Sequence, residues 1–222
     1  MQKPKVIYIA NRRPDYTAQE FTARWRQHAA LGMSQPRWIN VERYLHCDQL
    51  VGLPPKVMTA GGDGVAIVLF RSEIHRQHHI AQEVSRMAMK ADELQTFDQP
   101  VAKTSLLAHE ELVKPGPEGP YKLFVFWKAD GDGADFLPAW QAHGQDWLTR
   151  LGNSNNIRFV QNIPVHPRTL QTIGLPCDGV DELSALDPTN LEVLAKQWID
   201  HRLPATLRMI LTRTVVLHDQ PE

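Results

Sequence analysis

Residues 21–28 read FTARWRQH, and residues 136–143 read FLPAWQAH, 115 positions later along the chain. Three side chains match between these segments, since phenylalanine, tryptophan and histidine recur at the same spacing. The same offset relates further pairs: Arg43 and Arg158, Tyr44 and Phe159, Asp63 and Asp178, Gly64 and Gly179, Val65 and Val180. This period exceeds the roughly 20–50 residues of solenoid repeats. The sequence therefore predicts a duplicated unit.

Each half of the chain has the hydrophobic pattern of a β-α-β-β-α-β unit. The first half predicts strands at 5–10, 38–50, 63–70 and 103–112, with helices at 17–31 and 73–95. The second half predicts strands at 121–128, 157–165, 178–184 and 207–217, with helices at 134–150 and 190–202. This order of elements is ferredoxin-like.

The two units are expected at residues 1–113 and 121–222, joined by a linker at 114–120 that contains three prolines and two glycines. A four-stranded sheet with both helices on one face leaves its other face bare, and two such faces can pair. We therefore predict an α+β fold in which two ferredoxin-like β-α-β-β-α-β repeats form one intramolecular dimeric-type α/β barrel.

Composition narrows the class of protein. Hydrophobic residues make up 42% of the chain, charged residues make up 22%, and the net charge is −1, which is typical of a globular protein without a nucleic-acid or membrane partner. No apolar run approaches about 18 residues, and the first residues lack a signal-peptide pattern. We therefore expect a cytoplasmic protein. Cys47 and Cys177 are isolated, which predicts reduced structural thiols.

The helix predicted from Thr17 begins with a capping-box pattern, because Glu20 follows three residues later. At 100° per residue, Phe21, Trp25 and His28 fall within about 60° of one another. Imidazole titrates near neutral pH, so His28 is a candidate general acid or base. The alternative is a structural histidine that interacts with backbone carbonyls near the helix end.

Polar side chains follow one face of the strand predicted at 38–50. Tyr44, His46 and Asp48 share this face, which suits a barrel interior lined for a ligand, whereas the alternative is an exposed strand edge. The equivalents of Tyr44 and His46 are Phe159 and Gln161. Because these lack ionisable groups, the pattern favours a single competent site in the first half.

Asp63 and Asp178 each precede a Gly-Val pair at the start of a predicted strand. Asp-Gly is a turn signal, and the alternative is a pocket carboxylate that orients a histidine. Trp25, Trp38 and Trp140 are expected either to pack in the core or to line an aromatic ligand pocket.

The first half resembles the EthD family of the dimeric α/β-barrel superfamily. The resemblance is carried by Arg12-Arg13-Pro14, Thr17-x-x-Glu20-Phe21, Trp25-Arg26-x-His28, Arg43-Tyr44, Asp63-Gly64-Val65, and Ala91-Asp92-Glu93 with Phe97. The second half shares the helix and Asp178-Gly179-Val180 but lacks the Arg-Arg-Pro and Ala-Asp-Glu stretches. The family's relatives include ether-degradation proteins and muconolactone-type isomerases. The resemblance implies an apolar pocket for a small, often cyclic molecule, in which histidine, tyrosine or aspartate moves protons.

This resemblance leads to the expected function. The chain is predicted to be a cofactor-independent lyase or isomerase that acts on a small hydrophobic cyclic or carbonyl metabolite in a degradative pathway. Proton transfer next to the carbonyl would lead to elimination, decarboxylation or isomerisation. His28 or His46 would be acid and base, Tyr44 would stabilise the oxyanion and Asp63 would orient a histidine. The expected substrate-binding residues are Trp25, Trp38, Trp140, His143 and Gln161. The alternatives are a non-catalytic binding or auxiliary protein of an oxygenase pathway and a cofactor-free monooxygenase.

No cofactor or metal site is expected. The chain has no glycine-rich phosphate loop. His75, His79 and Glu83 recur every four residues, but projection places His79 and Glu83 opposite the helix's apolar face, so they are predicted to be solvated. The expected partner is a small hydrophobic molecule, and exposed sheet edges are compatible with a homodimer.

Overall fold

The computed structural model describes residues 2–50, 62–131, 133, 135–152, 156–168, 174–199 and 203–220. The described strands are β1 (Lys5–Ala10), β2 (Val41–Gln49), β3 (Gly64–Phe70), β4 (Ser105–Lys114), β5 (Tyr121–Ala129), β6 (Ile157–Pro164), β7 (Gly179–Ala185) and β8 (Ala205–Asp219). The described α-helices are α1 (Ala18–Met33), α2 (Glu73–Ala81), α3 (Glu83–Thr96), α4 (Val101–Thr104), α5 (Phe136–Leu151) and α6 (Pro188–Trp198). A 3₁₀ helix, Pro36–Asn40, follows α1.

The eight strands form a closed antiparallel barrel in the order β1-β3-β2-β8-β5-β7-β6-β4, and β4 returns to pair with β1. The strands of the two halves meet where β2 pairs with β8 and where β4 pairs with β6. The predicted α+β class and the barrel are therefore confirmed, whereas the division into two ferredoxin-like repeats stays a prediction. None of the described helices is long and apolar enough to cross a membrane.

Alternate side chains of the strands fill the barrel interior. This interior cluster is buried and consists mainly of Ile7, Ile9, Leu45, Cys47, Val65, Ile67, Leu106, Ala108, Phe124, Phe126, Val180 and Ile210. At one end of the barrel, Glu182 is 2.5 Å from Lys5 Nζ and 2.6 Å from Lys122 Nζ. These three charged residues are 1–3% exposed.

The other face of each strand packs against the helices. Tyr8 and Tyr44 belong to a buried cluster with Phe21 and Trp25 of α1, and His46 stacks on Trp25 with ring centroids 3.8 Å apart. The prediction that Tyr44 and His46 face the barrel interior is therefore wrong. The intervening apolar residues of β2 fill the interior, and the aromatic face of α1 covers the polar side chains.

The helix predicted at 73–95 is divided into α2 and α3 at Gln82. His79, predicted to be solvated, is 8% exposed, whereas Val84 is 85% exposed. The His79 ring packs against Trp38 and Phe70, with centroids 6.1 and 5.1 Å away. Tertiary packing of these rings therefore outweighs the amphipathic pattern of the helix, whose apolar residues Ile80, Val84 and Met87 face outward.

Candidate functional site

A cavity of about 160 Å³ lies between the sheet and the helices of the first half. Its lining residues come from β1, β2, β3, α1, α2, α3, α4 and the 3₁₀ helix, and they are Val6, Tyr8, His28, Arg37, Trp38, Tyr44, Val68, Phe70, His79, Met89, Glu93 and Val101. An engineered protein cavity of about 150 Å³ binds benzene. The volume therefore suits a molecule the size of one ring. Three predicted site residues, His28, Trp38 and Tyr44, line this cavity.

His28 is held by a carboxylate from α3. Its Nδ1 is 2.7 Å from Asp92 Oδ2, and Arg24 Nη2 is 2.5 Å from the other oxygen of Asp92. A carboxylate accepts hydrogen bonds, so we assign the ring hydrogen to Nδ1, which leaves the lone pair on Nε2. Burial lowers the pKa of His28, although Asp92 acts in the opposite direction. His28 is therefore a neutral base near pH 7.

The position of His28 is set by the beginning of α1. The Thr17 Oγ1 accepts from Glu20 N–H at 3.2 Å, and the Thr17 N–H donates to Glu20 Oε2 at 2.8 Å. The predicted capping box is therefore confirmed. Because Phe21, Trp25 and His28 are one helical turn apart, the cap fixes all three on the face that packs on the sheet.

A second polar group runs from α1 to Tyr44. Arg26 Nη1 is 2.5 Å from His46 Nδ1, and since a guanidinium can only donate, Nδ1 must accept. The hydrogen of neutral His46 is therefore on Nε2, which donates to Tyr44 Oη at 2.6 Å. Burial, together with the nearby Arg26, lowers the pKa of His46 well below its usual value. Both ring nitrogens of His46 are thus engaged, and His46 is not among the residues that line the cavity.

Tyr8 and Tyr44 share one hydrogen bond and leave one hydroxyl hydrogen unused. Their Oη atoms are 3.0 Å apart, and Trp25 Nε1 donates to Tyr8 Oη at 3.2 Å. Only one of the two hydroxyl hydrogens can lie between the phenols, while the other has no acceptor in the described part of the chain. Burial raises the pKa of Tyr8 to about 12 and that of Tyr44 well above its usual value. The phenols therefore stay protonated and present one O–H donor at the cavity.

Other groups around the cavity also favour a ligand that accepts hydrogen bonds. The Arg37 Nε and Trp38 Nε1 atoms are buried, and neither has a hydrogen-bond partner among the described residues. His79 Nδ1 donates to the Arg37 carbonyl at 3.0 Å, and burial lowers the pKa of His79 to about 4. Glu93 also lines the cavity, and burial raises the pKa of its carboxyl group above the usual value. The unpaired donors suit a carbonyl or another oxygen-bearing ligand.

Asp63 lies outside this cavity. Its Oδ2 accepts from Arg12 N–H at 2.8 Å, and the described contacts of Asp63 include no histidine. The carboxylate that contacts His28 is Asp92. Close packing explains the glycine that follows Asp63. A Cβ on Gly64 would lie 2.7 Å from the Trp25 ring and 2.8 Å from the Cys47 carbonyl oxygen.

We expect Gly64→Ala to lower the free energy of unfolding by about 1–3 kcal/mol, because the added methyl group overpacks the contact with the Trp25 ring. Chemical denaturation monitored by tryptophan fluorescence would measure the loss. The reference variant is Ala23→Gly, which exchanges the same two residue types at the exposed surface of α1. Gly131→Ala would add backbone strain, because the φ angle of Gly131 is positive. An unchanged midpoint for Gly64→Ala would contradict the predicted packing.

The predicted residues of the second half surround a different group, the buried carboxylate of Asp181. Trp140 Nε1 donates to Asp181 Oδ1 at 3.0 Å, and Gln161 Nε2 is 3.3 Å from the same oxygen. The indole N–H groups of Trp127 and Trp198 donate to Oδ2 at 2.7 and 3.2 Å. Burial raises the pKa of Asp181 to about 7 despite these donors.

His143 packs beside this carboxylate cluster. Its ring lies 5.8 Å from Trp127 and 6.0 Å from Trp198, and its Nε2 accepts from Trp147 Nε1 at 3.1 Å. Neither Trp140, His143 nor Gln161 is among the described residues that line the first-half cavity. The repeated tryptophan and histidine are therefore built into different surroundings in the two halves.

Sequence reasoning did not assign roles to Tyr8, Arg26, Asp92 and Asp181. The Ala91-Asp92-Glu93 stretch carried a signal for Asp92, but nothing in the sequence pairs it with a histidine 64 residues away. Asp181 is 115 positions after Ala66, so the duplication gave no reason to consider it. In the described parts of the chain, no group of three or more histidine, cysteine or acidic side chains is placed to hold a metal ion.

No protein-family model matches the chain, and no curated protein matches it. A proposed monooxygenase of Fusobacterium nucleatum subsp. nucleatum is similar in structure, with 7% identity, a TM-score of 0.56, and coverage of 100% of this chain and 96% of that chain. An anthrone oxidase-like protein is 11% identical, with a TM-score of 0.55 and coverage of 100% of this chain and 96% of that chain. A heme-binding protein of Thermus thermophilus is 10% identical, with a TM-score of 0.50 and coverage of 96% of this chain and 91% of that chain. At these identities the similarity concerns the fold alone, a closed antiparallel β-barrel with helices packed outside it.

Proposed function

We propose that the first-half cavity catalyses cofactor-independent proton transfer next to a carbonyl, in a lyase or isomerase reaction on a small hydrophobic cyclic or carbonyl compound. One observation carries this proposal. His28, with Nδ1 bound to Asp92 and the lone pair on Nε2, lines the same cavity as a phenol pair with one unused O–H. A base and an oxyanion donor are the two groups that enolisation requires.

The proposed reaction begins with the substrate carbonyl oxygen accepting the free O–H of Tyr8 or Tyr44. His28 Nε2 removes the proton from the adjacent carbon, and the electron pair of the C–H bond forms the enolate. Asp92 stabilises the resulting imidazolium, as a carboxylate does for a catalytic histidine. Return of the proton to another carbon completes an isomerisation, and departure of a β-substituent completes an elimination.

The remaining side chains would position the two phenols. Arg26 holds the tautomer of His46, and His46 donates to Tyr44. Trp25 stacks on His46 and donates to Tyr8. In this proposal His46 is a positioning residue, whereas Trp38 is a wall of the cavity.

The described residues do not fit a haem. The first-half cavity of about 160 Å³ holds a molecule of about one ring, and a haem is several times larger than that. The α5 histidine, His143, already accepts a hydrogen bond at Nε2 from Trp147. Tryptophan rings pack around it, with Trp147 and Trp198 stacked at 3.9 Å. Haem therefore has no part in the proposed reaction.

A cofactor-free monooxygenase is a second candidate. It would need the same deprotonated substrate, to which dioxygen adds one atom while the other leaves as water. The structural similarity to a proposed monooxygenase and to an anthrone oxidase-like protein favours keeping this candidate. Dissolved oxygen would be consumed in this reaction and untouched in a lyase or isomerase reaction.

Hydrogen–deuterium exchange tests the proton transfer before the natural substrate is identified. The chain is incubated in deuterated buffer with cyclohexanone, indanone and γ-valerolactone, and mass spectrometry follows deuterium entering the carbon next to the carbonyl. We expect exchange above the buffer rate for at least one compound. Parallel oxygen-electrode traces separate the two enzymatic candidates. Binding of these compounds without exchange would instead indicate the non-catalytic binding protein.

We expect the double variant Tyr8→Phe/Tyr44→Phe to lower this exchange rate by about 10²–10³-fold, which is the usual cost of losing an oxyanion donor. The single variant Tyr44→Phe should lose less, because the Tyr8 O–H is then free to reach the ligand. Tyr121→Phe on β5, outside the cavity, is the matched control. Exchange by the double variant at the parental rate would contradict the assigned donors.

A further inference from the structure

A second cavity, of about 240 Å³, lies at the end of the barrel opposite Glu182 and its two lysines. Its described lining residues are Ile9, Phe126, Trp127, Lys128, Leu175, Pro176, Cys177, Thr206, Leu207 and Arg208. They share no residue with the described lining of the first-half cavity. The barrel-end cavity is therefore a separate place from the one to which we assign proton transfer.

Arg208 has no counter-ion among the described residues at the barrel end. Arg208 is the cross-strand neighbour of Phe126 on β5 and lies two residues before Ile210 on β8. Phe126 and Ile210 both belong to the interior cluster, so Arg208 is on the interior face of the barrel. Its Nε is buried, without a hydrogen-bond partner, and no ion pair joins Arg208 to a described residue. Burial lowers the pKa of Arg208, although a guanidinium stays charged in proteins. The residue as a whole is half-buried, and a guanidinium that is partly withdrawn from water without a counter-ion favours the binding of an anion.

The remaining lining residues fit an apolar anion. Lys128 adds a second cation at the mouth, and the described lining contains no carboxylate. Ile9, Phe126 and Leu175 provide apolar walls and are 1%, 5% and 9% exposed. The Cys177 thiol donates to the Gly179 carbonyl at 2.9 Å, and burial raises its pKa to about 12, which makes a covalent reaction at this thiol unfavourable.

We propose that the barrel-end cavity is a binding site for a hydrophobic carboxylic acid of about one ring. The carboxylate pairs with the guanidinium of Arg208 in the two-pronged geometry that arginine favours. The ring packs against Ile9, Phe126 and Leu175. This site is independent of the proposed proton transfer, because its cation and its walls belong to the barrel interior.

The test compares para-ethylbenzoate with para-ethylbenzamide, which has a similar shape and no charge. The full chain is titrated with each compound, by calorimetry and by tryptophan fluorescence, since Trp127 lines the cavity. We expect the acid to bind at least about ten times more tightly than the amide, as a charge-assisted bidentate contact requires. Equal affinities for acid and amide, or no binding of the acid, would overturn the proposal whatever the variants do.

Variants then locate the site. Arg208→Met is expected to reduce the affinity for the acid to that for the amide and to melt at or above the parental temperature, because it removes a half-buried charge that has no counter-ion among the described residues. Arg213→Met, an exposed position on the same strand, and Tyr8→Phe/Tyr44→Phe are expected to bind the acid as the parent does. Parental affinity in Arg208→Met, or lost affinity in the tyrosine variant, would place the acid elsewhere and overturn the assignment.

Discussion

Replacement of His28 by glutamine is expected to lower the rate of α-carbon deuterium exchange by about 10²–10⁴-fold, the usual contribution of a positioned general base. Glutamine keeps a polar side chain of similar length on α1, but it has no nitrogen lone pair that accepts a proton. In the proposed reaction His28 removes the proton and does not bind the substrate carbonyl. We therefore expect the substitution to lower kcat and to leave KM nearly unchanged. Exchange rates measured across substrate concentration separate the two.

The acid side of the pH–rate profile gives an independent test of the same base. Burial lowers the pKa of His28 and the Asp92 carboxylate raises it, and burial has the larger effect. The neutral, active form therefore persists to a lower pH than it would for an ordinary histidine, and the acid side of the rate profile should lie below the usual histidine value of about 6.5. Asp92→Asn allows the other ring tautomer, so it should also reduce the rate.

His78→Gln is the matched control for the His28 variant, because His78 is exposed on α2 and lines neither cavity. Both variants must give the parental thermal transition before their rates are compared. If His28→Gln and His78→Gln exchange deuterium equally fast, His28 is a structural residue, and the proton transfer proposed here is wrong.

The local elements of the barrel were predictable because each follows from short-range patterns. The capping box opens α1 at Ala18, and a short apolar run predicts β1 at Lys5–Ala10, as observed. Strand β6 ends one residue earlier than predicted. Strand β7 begins and ends one residue later than predicted. Strand β8 extends two residues further at each end than predicted, because it pairs with both β2 and β5.

The direction of a strand face was not predictable from alternation. The period of two separates Tyr44 and His46 from Leu45 and Cys47, but it does not say which set faces the helices. Polar side chains were expected in the barrel interior. The interior instead takes the apolar set, because Tyr44 and His46 find hydrogen-bond partners in Tyr8 and Arg26 on the helix side.

The partners of the candidate base were also beyond sequence reasoning. His28 and Asp92 lie on different helices, and only the packing of α1 on α3 brings them together. The repeated Asp-Gly-Val motif made Asp63 the predicted partner of a histidine. Its repeated role is local instead, since Asp63 accepts from Arg12 N–H, and the equivalent Asp178 accepts from Ala129 N–H at 2.9 Å.

Glu182→Gln is expected to lower the free energy of unfolding by about 3–5 kcal/mol, the usual cost of removing one partner from a buried ion pair. The substitution leaves Lys5 and Lys122 inside the barrel without the carboxylate that lies between them. Lys5 keeps Glu110 at 2.6 Å, while Lys122 keeps the Ser184 hydroxyl at 3.0 Å. Urea denaturation at pH 7 measures the loss.

The control is Glu83→Gln, which breaks an exposed ion pair with Arg86 at 2.9 Å. Pairs of this kind contribute little to stability, so Glu83→Gln should unfold at nearly the parental urea concentration. A loss for Glu182→Gln that is no larger than this control would show that the barrel lysines do not need the carboxylate.

The pH dependence of this loss distinguishes the ion cluster from the neighbouring Asp181 on the same strand. Burial opposes ionisation of Glu182, but Lys122 and Lys5 hold its pKa well below the usual range. Its stabilisation is therefore present above about pH 4.3, the unfolded value, and is lost as the pH falls toward the folded one. Asp181 has the opposite sign, because burial raises its pKa to about 7 and stability falls as the pH rises from about 4 toward that value. Since Asp181 is present in both proteins, the difference in stability between the parent and Glu182→Gln cancels its contribution. That difference should shrink steadily below about pH 4, and a difference that stays constant into acid would contradict the assigned ion cluster.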